Sequence, residues 1–239
     1  MVLRPSYHFT SFHNGLRITD EVALECAKEA AGELRLDIEA AFSQGLPNTP
    51  MANAAIRVIS GNFVIARPVG IIDGIDHELT GVARKIAYET IHPILNAGGL
   101  VLLSPLGFSP TGEVFNLAME DVAVAAATAL RADKLIFITE IPLITDAAGT
   151  EIREVSTHQA GAVLESGSLN ADAAYYFEAA TRAANLGVPR AHLVPYTVDG
   201  SVLLEVFTHD GVGTMISSEN LESLREATIE DVASILHLI

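Results

Sequence analysis

The pattern of apolar and polar positions divides the chain near Leu100. Before that residue the pattern predicts two helices, a β-hairpin, a further strand and a third helix: Asp20–Arg35, Leu36–Gln44, Ile56–Ile59 with Asn62–Pro68, Gly81–Ile86 and Tyr88–Asn96. Apolar residues recur at helical spacing in the first two segments, and Gly45 is a typical residue beyond a helix end. The hairpin is inferred because Ser60-Gly61 separates two β-rich runs.

After Leu100 the chain alternates between short apolar strands and helices. The predicted strands are Leu100–Leu103, Leu135–Thr139, Ala191–Val194 and Gly213–Ser217, and the predicted helices are Ala118–Arg131, His158–Ser166, Asp172–Leu186 and Ser201–Thr208. Wholly apolar strands between helices indicate a parallel sheet that is covered on both faces. Ligands of such sheets bind beyond the carboxyl ends of the strands, so the following loops are where a site is expected.

Composition and charge narrow the classes of partner. The chain has 239 residues, of which 49% are hydrophobic and 18% charged, and its formal net charge is −16. An acidic surface repels nucleic acid and anionic lipid and attracts small cations. A single cysteine, Cys26, excludes an internal disulfide, and the eight scattered histidines give no support for a metal site.

Neither a secretory signal nor a membrane span is expected. The first residues contain no apolar stretch typical of a signal peptide, and no apolar run reaches the ~18 residues that a spanning helix needs. Together with the single cysteine, this predicts a cytoplasmic protein.

Three segments resemble the amino-acid-kinase family, and within it the arginine-pathway branch. They are Leu100–Ala125, Arg131–Glu140 and Arg190–Ser217. The third segment is also similar to acetylglutamate kinases that arginine inhibits. The first contains Ser-Pro-Thr-Gly-Glu-x-Phe-Asn-Leu, from Ser109, and is closer to bacterial N-acetylglutamate synthases. Those enzymes join an arginine-binding kinase-like domain to an acetyltransferase domain of the GNAT type.

The resemblance implies an architecture for the whole chain. It predicts a carbamate-kinase-like α/β three-layer sandwich with a mainly parallel central sheet that lacks its first strand. Residues 1–226 would form the arginine-binding domain, incomplete at its N-terminus, and 227–239 the first helix of a truncated acetyltransferase domain. We therefore expect no catalytic residue and no cofactor in this chain, with acetyl-CoA a substrate of the missing domain. A homo-oligomer is also implied, which is a hexamer in the bacterial family.

The resemblance also implies five arginine-binding residues: Lys134, His192, Glu205, Gly211 and Gly213. Glu205 matches the acceptor of the ligand guanidinium, the glycines allow close backbone approach, and Lys134 could pair with the ligand carboxylate. Each residue has a plain structural alternative. Glu205 could be a solvated helix residue, the glycines a tight turn and His192 a satisfied core histidine. Lys134 could complement a helix C-terminus.

A kinase that phosphorylates N-acetylglutamate with ATP is the alternative function. Phosphoryl transfer needs positive charge beside the phosphate, yet the chain has three lysines, Lys28, Lys85 and Lys134, and none beyond position 134. Asn116 and Glu120 match positions of the kinase pocket, which we interpret as vestigial in this chain. Their structural alternative is helix capping and surface charge.

Overall fold

The structure, a computed structural model, describes residues 11–13, 15–45, 47–49, 52–54, 56–141, 144–146, 149–165, 169–208 and 211–218. Within these ranges the helices are α1 (Glu21–Phe42), α2 (Tyr88–Asn96), α3 (Met119–Leu130), α4 (Thr157–Glu165), α5 (Ala171–Asn185) and α6 (Ser201–Phe207). The strands are β1 (Phe12–His13), β2 (Leu16–Arg17), β3 (Val58–Ser60), β4 (Val64–Pro68), β5 (Ile71–Ile72), β6 (Ile75–Asp76), β7 (Gly81–Ile86), β8 (Leu100–Leu102), β9 (Leu106–Phe108), β10 (Val114–Asn116), β11 (Lys134–Thr139), β12 (Glu154–Ser156), β13 (Arg190–Pro195) and β14 (Thr214–Ser217).

Parallel pairing dominates the C-terminal sheet, whose strand order is β11-β13-β14-β12. β11 pairs in parallel with β13, and β12 with β14, while β13 and β14 are antiparallel. β3 and β8 form a second parallel ladder. A mixed sheet of order β10-β9-β4-β7 completes the N-terminal half. The chain thus has the α/β fold with mainly parallel strands that the sequence predicts.

The C-terminal core lies between this sheet and helix α5. Phe177 of α5 is fully buried and packs with Phe137 of β11 and Leu193 of β13. The alanines of α5 make this packing close, because their small side chains let the helix approach the strands. Since side chains alternate along a strand, the opposite face carries Ile136 and His192, which are register partners, and α6 packs against β13 on that face.

Helix α3 connects this core to a second one in the N-terminal half. Val122 packs with Phe63 and Ile91 in the second core, while Val124 and Ala127 belong to the first. The first turn of α3 holds Glu120 and Asp121, which carry the favourable sign of charge for a helix N-terminus. Glu120 and Asp121 in this turn also line a cavity, which is described below.

Several predicted elements differ from the structure. α1 is one helix over the two predicted helical segments. It contains no proline, and it continues through Gly32 without a break. The hairpin at Ser60-Gly61 is wrong, since β3 pairs with β8 rather than with β4. A hairpin does form at Asp73-Gly74, where both residues have positive φ, as a type I′ turn requires.

The sequence analysis predicts no strand between Leu103 and Ala118, but the structure has the hairpin β9–β10 there. Its turn is held by the Ser-Pro-Thr-Gly-Glu motif. The Ser109 hydroxyl accepts the backbone N–H of Glu113 at 3.0 Å, and the Thr111 hydroxyl donates to the Glu113 carboxylate at 2.9 Å. The predicted helix over 227–239 lies outside the described residues.

Candidate functional site

Glu205 lies at the centre of a buried hydrogen-bond cluster between α6, β13 and the turn before β14. His192 Nδ1 is 2.6 Å from Glu205 Oε1, and the backbone N–H groups of Val212 and Gly213 donate to Oε2 at 2.8 and 2.9 Å. Glu205 is 8% exposed, so the alternative of a solvated helix residue is wrong. Ser201 and Glu205, four residues apart, form the buried face of α6.

These hydrogen bonds determine the ionisation of Glu205. Burial by itself would raise the pKa of this carboxyl. The hydrogen bond with His192 and the two backbone N–H groups outweigh that effect and lower its pKa to about 2. Because an ionised carboxylate only accepts hydrogen bonds, we assign a proton to His192 Nδ1. Glu205 is therefore charged near neutral pH, and it holds the turn that precedes β14.

Both glycines of this turn are required by close packing. A Cβ on Gly211, whose φ is +57°, would lie 2.6 Å from Glu205 Oε2. A Cβ on Gly213 would lie 2.3 Å from the backbone oxygen of Leu193. The tight turn that the sequence analysis gave as an alternative is therefore present. The close approach that requires these glycines is to the chain's own atoms.

A guanidinium already contacts this turn. Arg153 Nη1 donates to the Gly211 carbonyl oxygen at 3.1 Å, and Nη2 of the same side chain lies 2.7 Å from Glu151 Oε2. The sequence analysis missed Arg153, because 58 residues separate it from Gly211 and no local pattern joins them. The contact shows that the carbonyl of the turn is accessible to a planar N–H donor.

His192 is buried and has one ring nitrogen without a hydrogen-bond partner. The residue is 3% exposed, and the buried Nε2 has no partner among the described residues. In a neutral ring with a proton on Nδ1, Nε2 is an acceptor. A buried polar atom without a partner is uncommon in folded proteins. The alternative of a satisfied core histidine therefore holds for one ring nitrogen only.

Lys134 lies apart from the turn. It is the first residue of β11 and pairs with Arg190, which in turn pairs with Ser217 at the far end of β14. Lys134 shares a sheet face with His192, and the two backbones are roughly 8 Å apart by the spacing of paired strands. The structure therefore brings Glu205, His192, Gly211 and Gly213 together and leaves Lys134 apart from them, at the opposite end of the β13–β14 pairing. Lys134 does not belong to the last turn of α3, which ends at Leu130.

Asn116 and Glu120 lie in a separate place, where they line a cavity of about 830 Å³ between the N-terminal ends of α3 and α5 and the helix α1. The Asn116 amide donates to the Thr19 hydroxyl at 3.2 Å. Glu120 is 8% exposed, and the hydroxyl of Tyr175 donates to its Oε2 at 3.3 Å. The alternative of a surface charge is therefore wrong for Glu120.

The cavity is acidic. Its described lining includes three carboxylates, Glu120, Asp121 and Asp172, against one basic side chain, Arg17. Burial, followed by the charges of Glu120 and Asp121, raises the pKa of Tyr175 to about 12. The sequence analysis missed Tyr175, although two adjacent tyrosines in an alanine-rich helix are a signal that could have indicated it.

The described residues contain no group of three or more His, Cys, Asp or Glu side chains arranged to hold a metal ion. In the same part of the chain, no helix combines the length and the apolar character that crossing a membrane requires.

The chain is similar to curated amino-acid acetyltransferases. It is 60% identical over 230 residues to the amino-acid acetyltransferase of Ralstonia nicotianae, which covers 96% of this chain and 51% of that protein. It is 51% identical over 229 residues to the amino-acid acetyltransferase of Azotobacter vinelandii, covering 95% of this chain and 52% of that protein. The chain spans about half the length of the curated relatives it matches.

The chain is also similar to the solved structures of two enzymes. The crystal structure of N-acetylglutamate synthase from Neisseria gonorrhoeae, complexed with coenzyme A and L-arginine, matches with a TM-score of 0.83 at 36% identity, covering 96% of this chain and 54% of that one. A carbamate kinase of Giardia matches with a TM-score of 0.56 at 13% identity, covering 82% of this chain and 72% of that one. The second match concerns the fold alone and confirms the carbamate-kinase-like architecture.

The sequence model of the amino acid kinase family matches residues 6–195. That range ends with β13 and includes Lys134, His192, Asn116 and Glu120, whereas Glu205 and the 211–213 turn lie beyond it. Since the match extends over most of the sequence, the chain belongs to the amino acid kinase family.

Proposed function

We propose that this chain is the arginine-responsive regulatory part of an N-acetylglutamate synthase of L-arginine biosynthesis. A domain outside this sequence would then transfer the acetyl group from acetyl-CoA to L-glutamate. The proposal is supported by the curated relatives, which are amino-acid acetyltransferases, and by the similarity to a synthase that was solved with coenzyme A and L-arginine.

The observation that carries the proposal is the Gly211 carbonyl, which accepts an N–H from the Arg153 guanidinium beside the Glu205 carboxylate. Free arginine offers the same planar group with five N–H donors. The unpartnered Nε2 of His192 would be a further acceptor, and Glu205 has about four acceptor positions of which three are used. Lys134, which lies on the same sheet face as His192, is the proposed partner of the ligand carboxylate.

The kinase alternative has less support from the second site. Three carboxylates line the cavity that contains Asn116 and Glu120, and a field of that sign repels ATP and phosphorylated products. The two curated relatives described above are likewise acetyltransferases rather than kinases. We infer that this cavity does not transfer phosphate.

Arginine binding is tested by thermal unfolding of the purified chain with L-arginine and with L-citrulline, its uncharged ureido analogue. A ligand that binds only the folded state at 100 times its Kd adds about 2.7 kcal/mol, which raises the Tm by several degrees in a chain of this size. We expect this shift with arginine and not with citrulline. Glu205→Gln should remove it, and Glu178→Gln, an exposed control on α5, should retain it.

Equal stabilisation by the two amino acids, or none by either, would contradict the proposal.

Whether the chain itself has catalytic activity is tested separately by mass spectrometry, after incubation with acetyl-CoA and L-glutamate or with ATP and N-acetyl-L-glutamate. We expect no N-acetyl-L-glutamate and no acyl phosphate. The appearance of either product would overturn the regulatory assignment. The hexamer and the cytoplasmic location stay predictions. Light scattering of the purified chain measures how many subunits associate.

A further inference from the structure

The cavity beside Glu120 combines a buried carboxylate with an apolar wall. It is lined by side chains from α1, β10, α3 and α5, and its volume of about 830 Å³ lies within the range of small-molecule sites. Its apolar lining includes Phe12, Leu16, Val82, Leu117 and Met119. Phe12 and Met119 are 59% and 55% exposed, so part of this apolar lining is open to a ligand.

Glu120 lacks a compensating cation among the described residues. It is 8% exposed, and the Tyr175 hydroxyl, a neutral donor, lies 3.3 Å from its Oε2. The nearby Arg182 is engaged with Asp121 instead. A charged carboxylate that is buried without a cation is costly, so a positively charged group at this position would be stabilised.

The remaining lining adds to the preference for a cation. Asp172 contributes another carboxylate, and the half-exposed ring of Tyr175 offers an aromatic face. Arg17 is the basic residue of the described lining, and its guanidinium lies over the Phe12 ring at 4.8 Å. Aromatic faces bind organic cations through the ring quadrupole, a contact that Phe12 already makes with Arg17.

We propose that this cavity binds a small organic cation, an ammonium group on an apolar body, with Glu120 and Asp172 as its counter-charges and Tyr175 against its face. The site is distinct from the Glu205 cluster, and the proposal does not depend on arginine binding there. The apolar wall favours an apolar amine over a ligand with polar substituents, because the latter would leave its hydrogen bonds unmade.

Cys26 provides the reporter, since it lines the cavity, is exposed and is the only cysteine of the chain. Its reaction is followed with two methanethiosulfonates of equal reach, one carrying trimethylammonium and one sulfonate. In each case the thiolate attacks the sulfenyl sulfur, a disulfide forms and methanesulfinate leaves. A negative potential of about 1 kT per unit charge should favour the cationic reagent over the anionic one by roughly sevenfold, relative to a free thiol in solution.

Binding is measured with three probes of the same shape: phenethylamine, phenethyl alcohol and 3-phenylpropionate. We expect phenethylamine alone to bind saturably and to slow alkylation of Cys26 by neutral N-ethylmaleimide at least threefold. Glu120→Gln and, as a second variant at an exposed position, Asp172→Asn should each reduce both the protection and the reagent preference. Glu205→Gln should change neither, which separates this site from the arginine site.

Other outcomes would overturn the proposal. Equal binding of the alcohol would show an apolar cavity without a preference for charge, and stronger binding of the carboxylate would show an anion site. Equal reaction of the two methanethiosulfonates would show that the carboxylates create no field at Cys26. Loss of the amine effect in Glu205→Gln with retention in both cavity variants would place the binding elsewhere.

Discussion

Glu205 and Glu120 are two glutamates of equal burial, each 8% exposed, in opposite surroundings. Glu205 receives three hydrogen bonds of 2.6 to 2.9 Å, and its pKa is lowered to about 2. Glu120 accepts a hydrogen bond of 3.3 Å from the Tyr175 hydroxyl, and its charge helps to raise the pKa of Tyr175 to about 12, after burial as the larger cause. Burial alone therefore does not tell whether a carboxylate has a structural or a ligand-binding role.

The difference lies in what each carboxylate already has as partners. Glu205 holds a backbone turn in place, so a ligand there contacts an organised surface rather than an unpartnered charge. Glu120 faces a cavity and forms no ion pair with a described residue. Family resemblance assigns the functional role to the first and a vestigial one to the second. We propose a ligand for each of them, of different chemistry.

The largest expected contrast is in stability. Glu205→Ala leaves His192 Nδ1 and two backbone N–H groups without their acceptor, which should cost about 3–5 kcal/mol in the free energy of unfolding. Glu120→Ala should cost less than about 1 kcal/mol, because phenols at a cavity can be hydrated. Urea unfolding at neutral pH measures both. Equal losses would show that the two carboxylates are equally structural.

The turn itself can be altered without changing Glu205. Gly213→Ala places a methyl group against the Leu193 backbone oxygen and should cost about 3 kcal/mol, since backbone cannot move aside as a side chain can. The matched control is Gly161→Ala within α4, where a Cβ meets nothing within 4 Å, and it should stabilise by roughly 0.5–1 kcal/mol. A well-tolerated Gly213→Ala in the same unfolding assay would contradict the close approach.

Acid should reveal the lowered pKa of Glu205. A group whose folded pKa of about 2 lies below its ordinary value of 4.5 contributes stability above pH 4.5, and this is lost as pH falls toward 2. The loss between pH 5 and pH 3 should be about 2 kcal/mol for this group. As the pH is lowered across this range, the free energy of unfolding should therefore fall more steeply in the wild-type chain than in Glu205→Gln. Parallel pH profiles would show that the carboxyl is not stabilised in its charged form.

The smallest expected effect concerns Arg153, and it rests on arginine binding at the turn. Arg153→Ala removes the internal guanidinium from the Gly211 carbonyl, so free arginine should bind about three- to fivefold more tightly, as expected for an exposed charged hydrogen bond of up to ~1 kcal/mol. Calorimetric titration measures the change. Arg35→Ala, in an exposed pair on α1, matches the change in net charge. Weaker binding in Arg153→Ala alone would make Arg153 a ligand contact.

The sequence analysis predicted the local elements well and their partners less well. The alanine-rich pattern of α5 and the apolar runs of β11 and β13 determine these elements within their own segments. β3 pairs with β8, which lies some forty residues along the chain, so its neighbour could not be derived from Ser60-Gly61. The better turn signal was Asp73-Gly74, where a glycine and a residue tolerant of positive φ stand together.

The same limit applies to the candidate sites. Glu205 and the 211–213 turn are close in sequence, so the resemblance was sufficient to group them with His192. Arg153 contacts Gly211 across 58 residues, and Tyr175 contacts Glu120 across 55. Such contacts depend on how α5 and β12 pack in the fold. No spacing along the chain could have indicated them.

One measurement tests most directly whether the two glutamates have different roles. The thermal shift that saturating L-arginine produces should be measured in parallel for the wild-type chain, Glu205→Gln and Glu120→Gln. We predict that the shift is lost in Glu205→Gln and retained in Glu120→Gln, because the proposed arginine site lies beside the 211–213 turn. Retention in Glu205→Gln together with loss in Glu120→Gln would place arginine in the acidic cavity and contradict this account.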